Sequence, residues 1–165
     1  IRKYILFSLI FYFISVQISF AKNISQYEAQ AILIRNITKY VKFENVKNIN
    51  IFSFCLFAKT PLYSELIKLG TKHIFIKNKN DDISDCHVIF IDDAYIGNIS
   101  QIIFKTAKKS ILTISDRKNF TNDRGGIIEF KINSSKVLIT INVKSLKSSS
   151  LILEIKLLKI AKMIN

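Results

Sequence analysis

Two adjacent aspartates, Asp92-Asp93, follow an apolar run from His87 to Ile91, and Ser115-Asp116 closes a second apolar run that begins at Ser110. Oxygen-bearing side chains at the carboxyl ends of neighbouring parallel strands stand where open α/β sheets collect ligands. Such a set could hold a cation or accept a phosphoryl group. The competing reading is turn chemistry, since Asp and Ser end strands because they favour turns, and it is the reading preferred for these residues. A crevice of Asp92, Asp93, Ser115 and Asp116 therefore defines a second functional reading, a module that binds a small molecule or ion.

The remaining chemistry-bearing residues are few. His73 and His87 are the only histidines, and with Asp85 and Cys86 they have the donor types of a zinc site. Cys86 cannot be both a zinc thiolate and half of a disulfide, so no metal site is expected. Gly125-Gly126 could make an anion-binding nest, although a turn that needs positive φ is the expected role. The apolar residues Phe120, Ile127 and Ile128 are candidates for a partner-facing patch, with core packing as the alternative. No Gly-rich dinucleotide or phosphate loop, HExxH, GxSxG or CxxC motif is present. No nucleophile and base can be paired, so no catalytic residue and no cofactor are assigned.

The chain has 165 residues, 49% of them apolar, which is enough for one domain with a real core and excludes intrinsic disorder. Its formal charge is +13, but 32 Ile, 21 Lys and 13 Asn against four Arg point to A/T-rich coding rather than to an acidic partner. The lysines are scattered through an apolar pattern, without the Arg forks and interleaved aromatics of a nucleic-acid surface. No nucleic-acid partner is expected.

Arg2 and Lys3 precede an apolar run from Tyr4 to Val16, and Ser19-Phe20-Ala21 places small residues before a cleavage point after Ala21. Basic start, apolar stretch and small-x-small end together read as a secretory signal peptide over residues 1–21. The alternative is an uncleaved anchor, which as a helix over Tyr4 to Ala21 would span about 27 Å, just short of a bilayer core of about 30 Å. Export makes pairing of Cys55 with Cys86 the expected state, with two buried free thiols as the alternative. A bridge would close a loop of about 32 residues, for which chain entropy gives about 3–4 kcal/mol.

The elements that must position these residues follow from periodicity. Ala29, Ile32, Leu33, Asn36, Ile37, Tyr40 and Val41 recur at helical spacing, which predicts a helix over about 25–42 with Ser25 and Glu28 as a capping box. Strands are expected at 50–57, 73–77, 87–91 and 110–115, and helices after Pro61 up to Gly70 and over 96–108. Residues 78–85 read as a loop. From Gly126 apolar and polar residues alternate through Ile132, turn at Asn133-Ser134-Ser135, and alternate again to Ile141, an antiparallel hairpin. A long helix is expected from Val143 to Met163 with Leu146, Leu153, Leu157, Leu158 and Ala161 on its packed face. Alternating strands and helices give a single α/β domain over 22–165, a three-layer α/β/α sandwich with a mostly parallel sheet and a C-terminal antiparallel hairpin.

The last third carries a more specific pattern. Ile111-Leu112-Thr113-Ile114-Ser115-Asp116, Phe120, Gly125-Gly126-Ile127-Ile128-Glu129-Phe130, Val137, Ile141-Asn142-Val143 and Leu157-Leu158-Lys159-Ile160-Ala161 follow one another in order. Near the start stand Ala31-Ile32-Leu33 and Tyr40-Val41-Lys42-Phe43. The set resembles the YfiR family of exported bacterial proteins over about residues 26–161, and Cys55 and Cys86 fall where its members often carry a cysteine pair. The resemblance implies a regulator, not an enzyme. It implies a periplasmic protein that binds the periplasmic domain of a membrane diguanylate cyclase or sensor kinase and represses it, limiting cyclic di-GMP. It also implies a homodimer in some members. The second cysteine pair known near the glycine-rich turn of such repressors is missing here, since 119–129 contain no cysteine.

Overall fold

A computed structural model of the protein describes residues 24–43, 52–133 and 136–165. The expected signal peptide, residues 50 and 51 of the expected first strand, and Ser134-Ser135 of the hairpin turn lie outside them. Among the described residues the order is α1 (Gln26–Lys39), β1 (Val41–Lys42), β2 (Ser53–Phe57), α2 (Leu62–Lys68), β3 (His73–Ile76), β4 (Val88–Ile91), α3 (Ile99–Thr106), β5 (Leu112–Ser115), α4 (Phe120–Asp123), β6 (Ile128–Asn133), β7 (Lys136–Asn142), α5 (Val143–Ser148), β8 (Ile152–Leu153), α6 (Ile155–Leu158) and β9 (Lys162–Ile164).

Seven strands form one sheet in the order β3-β2-β4-β5-β6-β7-β9. β2 pairs parallel with β3 and β4, β4 with β5, and β5 with β6. The β6–β7 hairpin is antiparallel, with Glu129 opposite Thr140. Strands β2, β4 and β5 are buried almost throughout, as strands covered on both faces must be. Alternation splits them between two cores. Phe54, Leu56, Val88 and Phe90 pack with Ala31, Ile34 and Ile37 of α1 and Leu62 and Leu66 of α2. Cys55, Phe57, Ile89 and Ile91 pack on the other face with Ile99 and Ile102 of α3 and with Phe120. The expected three layers and mostly parallel sheet are thus present.

Local departures have local causes. Ser25 caps α1 as expected, its side chain accepting from the Glu28 N–H at 3.1 Å. The buried face of α1, however, is Gln30, Ala31, Ile34, Ile37 and Thr38. Ile32 and Asn36 are exposed, so the packed face is rotated from the expected one. The helix stops at Lys39, and Val41 belongs to β1. Helix α3 starts at Ile99, not Ile96, because Asn98 caps it by accepting from the Gln101 N–H, and Ile96 is fully exposed.

The long C-terminal helix expected from Val143 to Met163 is not formed. Ser148 and Ser149 turn their hydroxyls back onto the carbonyls of Ser145 and Leu146, and Ser150 takes a left-handed φ of 57°. Serine hydroxyls compete with helical hydrogen bonding in this way. The chain then enters β8, which pairs with β1 through Val41–Leu153 and Lys42–Ile152, makes the one-turn α6, and ends as β9 beside β7. Leu153 and Leu157 still reach the core. A leucine spacing suited to one long helix is met equally by short elements folded over the sheet.

Candidate functional site

The turns after β4 and β5 bring three aspartates together. Asp92 is 6% exposed, and its Oδ1 accepts from the Ala94 N–H at 2.8 Å. Asp116 accepts from the Asp93 N–H through Oδ1 at 2.9 Å and from Gln30 Nε2 through Oδ2 at 2.7 Å. Burial, reinforced by the neighbouring Asp92 carboxylate, pushes Asp116 up from the ordinary aspartate range to about 6. Asp93 is largely exposed and pairs with Arg117, whose Nε lies 3.3 Å from its Oδ1 and whose Nη2 donates to its carbonyl.

Asp92, Asp93 and Asp116 line a cleft of about 390 Å³ between α1 and the ends of β4 to β6, closed by Tyr27 and Gln30 on one side and by β6 on the other. Ser115 does not belong to it. Its fully buried hydroxyl donates to the Ile91 carbonyl and accepts from the Arg117 N–H, tying the two strand ends together. The site residue missed from sequence is Gln30. It is 2% exposed on a face shared with Ala31, Ile34, Ile37 and Thr38, a face that the helical spacing of the sequence does not single out.

The other candidates separate. Cys55 on β2 and Cys86 before β4 are joined by a disulfide with Cα atoms 5.7 Å apart, both buried. It pins the helix-free connection between β3 and β4 to the strand beneath it. Burial pushes His87 below its usual pKa, against the opposing pull of Asp85. Its Nδ1 accepts from the Ser53 N–H, and its ring lies against Phe43 and Phe52. His73 stands exposed on edge strand β3, and among the described residues no three His, Cys, Asp or Glu converge as metal ligands.

Phe120, Ile127 and Ile128 are not a partner-facing patch. They are 0%, 4% and 0% exposed and belong to the core. What they share is a knot around α4. Gly125 has φ +75°, as expected of the turn, and the Phe120 ring fills the space that a Cβ on Gly126 would need. Glu129 accepts from the N–H groups of Asn119 and Thr121 and from the Thr121 hydroxyl. Thr113 Oγ1 accepts from the Ile127 N–H, and Asn142 Nδ2 donates to the Thr121 carbonyl. The motif residues of 112–143 are therefore positions that hold one another.

No curated protein matches the chain. The ordered motifs, the mostly parallel sheet with its antiparallel hairpin, and the bridged cysteine pair agree with one assignment. The model of the YfiR/HmsC-like family, a family of periplasmic regulators of diguanylate cyclases, matches residues 27–162, and the chain belongs to that family.

Proposed function

We propose that this protein is a periplasmic binding protein that represses an inner-membrane diguanylate cyclase by docking on its periplasmic domain. The observation that carries the reading is the family match across residues 27–162. The buried Cys55–Cys86 bridge suits an oxidising compartment, and residues 1–21 serve as the export signal, removed after Ala21. No described helix is long and apolar enough to cross a membrane.

Repression works by population shift: the protein binds the inactive form of the cyclase more tightly and drains the active one. The surface for this lies in the C-terminal segment. Ile152, Ile155 and Ile160 are 64%, 68% and 69% exposed within nine residues of chain, a density of apolar side chains that suits a protein contact. Titrating the purified protein into membranes containing the cyclase, with cyclic di-GMP as the readout, tests the reading. Saturable inhibition that Ile155→Glu weakens without changing the melting temperature is expected. Unaltered cyclase output at saturating protein refutes it.

A further inference from the structure

The cleft between α1 and the strand ends has an unmet chemical need. Asp92 Oδ2 and Gln30 Oε1 are buried and have no hydrogen-bond partner. Both atoms are acceptors, on different elements, and both residues line the cleft. A buried acceptor without a donor has given up its hydration and gained no hydrogen bond in exchange. Turn formation accounts for Asp92 Oδ1, which is bonded to Ala94, but not for Oδ2, and it does not account for Gln30 at all.

The charges around the cleft sharpen the point. Arg117 is spent on Asp93, and among the described residues no cationic side chain forms an ion pair with Asp92 or Asp116. Lys131 lines the cleft from β6 but makes no ion pair with either carboxylate. Two carboxylates that form no ion pair therefore face one cleft, and Asp92 is nearly buried. What is missing is a hydrogen-bond donor carrying positive charge. Among the described residues no three His, Cys, Asp or Glu side chains are arranged to hold a metal ion, which favours an organic cation over a bare metal.

We propose that this cleft binds a small organic cation, with its ammonium or guanidinium hydrogens taken by Asp92, Asp116 and Gln30. Such a group supplies several donors from one centre and offsets the repulsion between the two carboxylates. The ligand bridges α1 to the turns after β4 and β5. The proposal stands apart from the repressor reading, because it rests on the orphaned acceptors and not on the family.

Putrescine and agmatine are the probes, with butane-1,4-diol as the neutral analogue and Mg²⁺ as the metal control. Amide chemical shifts of the full protein report binding. Saturable shifts centred on Asp93, Ala94 and the Gln30 side chain are expected at about pH 7.5, with a Kd of about 1 mM or tighter. Affinity should fall by roughly fivefold or more at about pH 5, as Asp116 takes up a proton. The charged groups beside it are Asp92, Asp93, Arg117 and Lys131, with Tyr27 facing from α1 and with Lys118, Glu129 and Lys162 around the adjoining cavity that Asp116 also lines. Asp92→Asn should abolish binding. Gln30→Met, which keeps both carboxylates, should weaken it, and it serves if Asp92→Asn does not fold. The proposal fails if neither amine gives saturable shifts, if the diol or Mg²⁺ binds as well as the amines, or if binding survives both substitutions.

Discussion

Gln30 and Asp116 are 86 residues apart in sequence and 2.7 Å apart in space, joined by a hydrogen bond from the buried amide to the carboxylate. The contact fastens the first helix to the far end of β5. Burial and the neighbouring Asp92 carboxylate, not this contact, favour the neutral form of Asp116. The folded state therefore binds the Asp116 proton more tightly than the unfolded chain, and stability falls as pH rises from about 4 through about 6. Asp116→Asn should remove that dependence. Asn can still accept from Asp93, and Gln30 can rotate so that its oxygen accepts from the new amide. Allowing for solvent screening at a partly exposed group, the variant should gain about 1–2 kcal/mol at neutral pH and almost nothing at about pH 4. Urea melts across that range check it, and a gain independent of pH contradicts the assignment.

Cys55 and Cys86 replace with one covalent bond the packing that a crossover helix would have provided between β3 and β4. Opening the bridge frees a loop of about 32 residues, so Cys55→Ala with Cys86→Ala should lose about 3–4 kcal/mol. The wild-type protein in reductant should lose a comparable amount. Calorimetry of the three samples tests this, and an unchanged melting temperature on reduction rules the bridge out as a stabiliser.

Much of this fold was legible because its strands are buried on both faces. Val88–Ile91 is a continuous apolar run, and Leu112–Ser115 interrupts its aliphatic residues only with small hydroxyl side chains, as strands covered on both faces can. The C-terminal segment was misread for the opposite reason. Leucines at helical spacing fit one long helix, and the effect of Ser148, Ser149 and Ser150 emerges only when their hydroxyls find carbonyls and β8 finds β1. At the cleft, Asp92, Asp93 and Asp116 could be named because strand ends are readable. Gln30 could not be, since nothing local shows which way a helix face points, and the face itself was displaced from the expected one. Phe120, Ile127 and Ile128 show the limit of hydrophobicity as evidence, because an apolar residue in a loop-rich stretch reads the same whether it faces a partner or the core.

Gly126 and Phe120 form a close approach with a measurable coupling. A methyl group on Gly126 would enter the Phe120 ring, which is fully buried in one core cluster with Ile99, Ile102 and Ile111. Gly126→Ala should destabilise the fold by about 1–3 kcal/mol. In a Phe120→Leu background the same substitution should cost distinctly less. A double-mutant cycle in urea measures the difference, and strict additivity would show that the ring is not the obstacle.

Asn142 has two tasks, which can be separated by substitution. Its Oδ1 caps α5 by accepting from the Ser145 N–H at 2.9 Å, and its Nδ2 donates to the Thr121 carbonyl at 2.7 Å. Asn142→Ala abandons both, leaving an uncapped helix and a buried carbonyl without its donor, for a loss of about 2–4 kcal/mol. Asn142→Asp keeps the cap but sets a carboxylate against the Thr121 carbonyl, two acceptors facing each other. Its stability should be near that of the alanine variant at neutral pH and should recover toward wild type in acid, where a protonated carboxyl can donate to Thr121. Denaturant melts of both variants at neutral and acidic pH distinguish the tasks. An Asp variant as stable as wild type at neutral pH would mean that the cap alone matters and that the link from β7 to α4 contributes nothing.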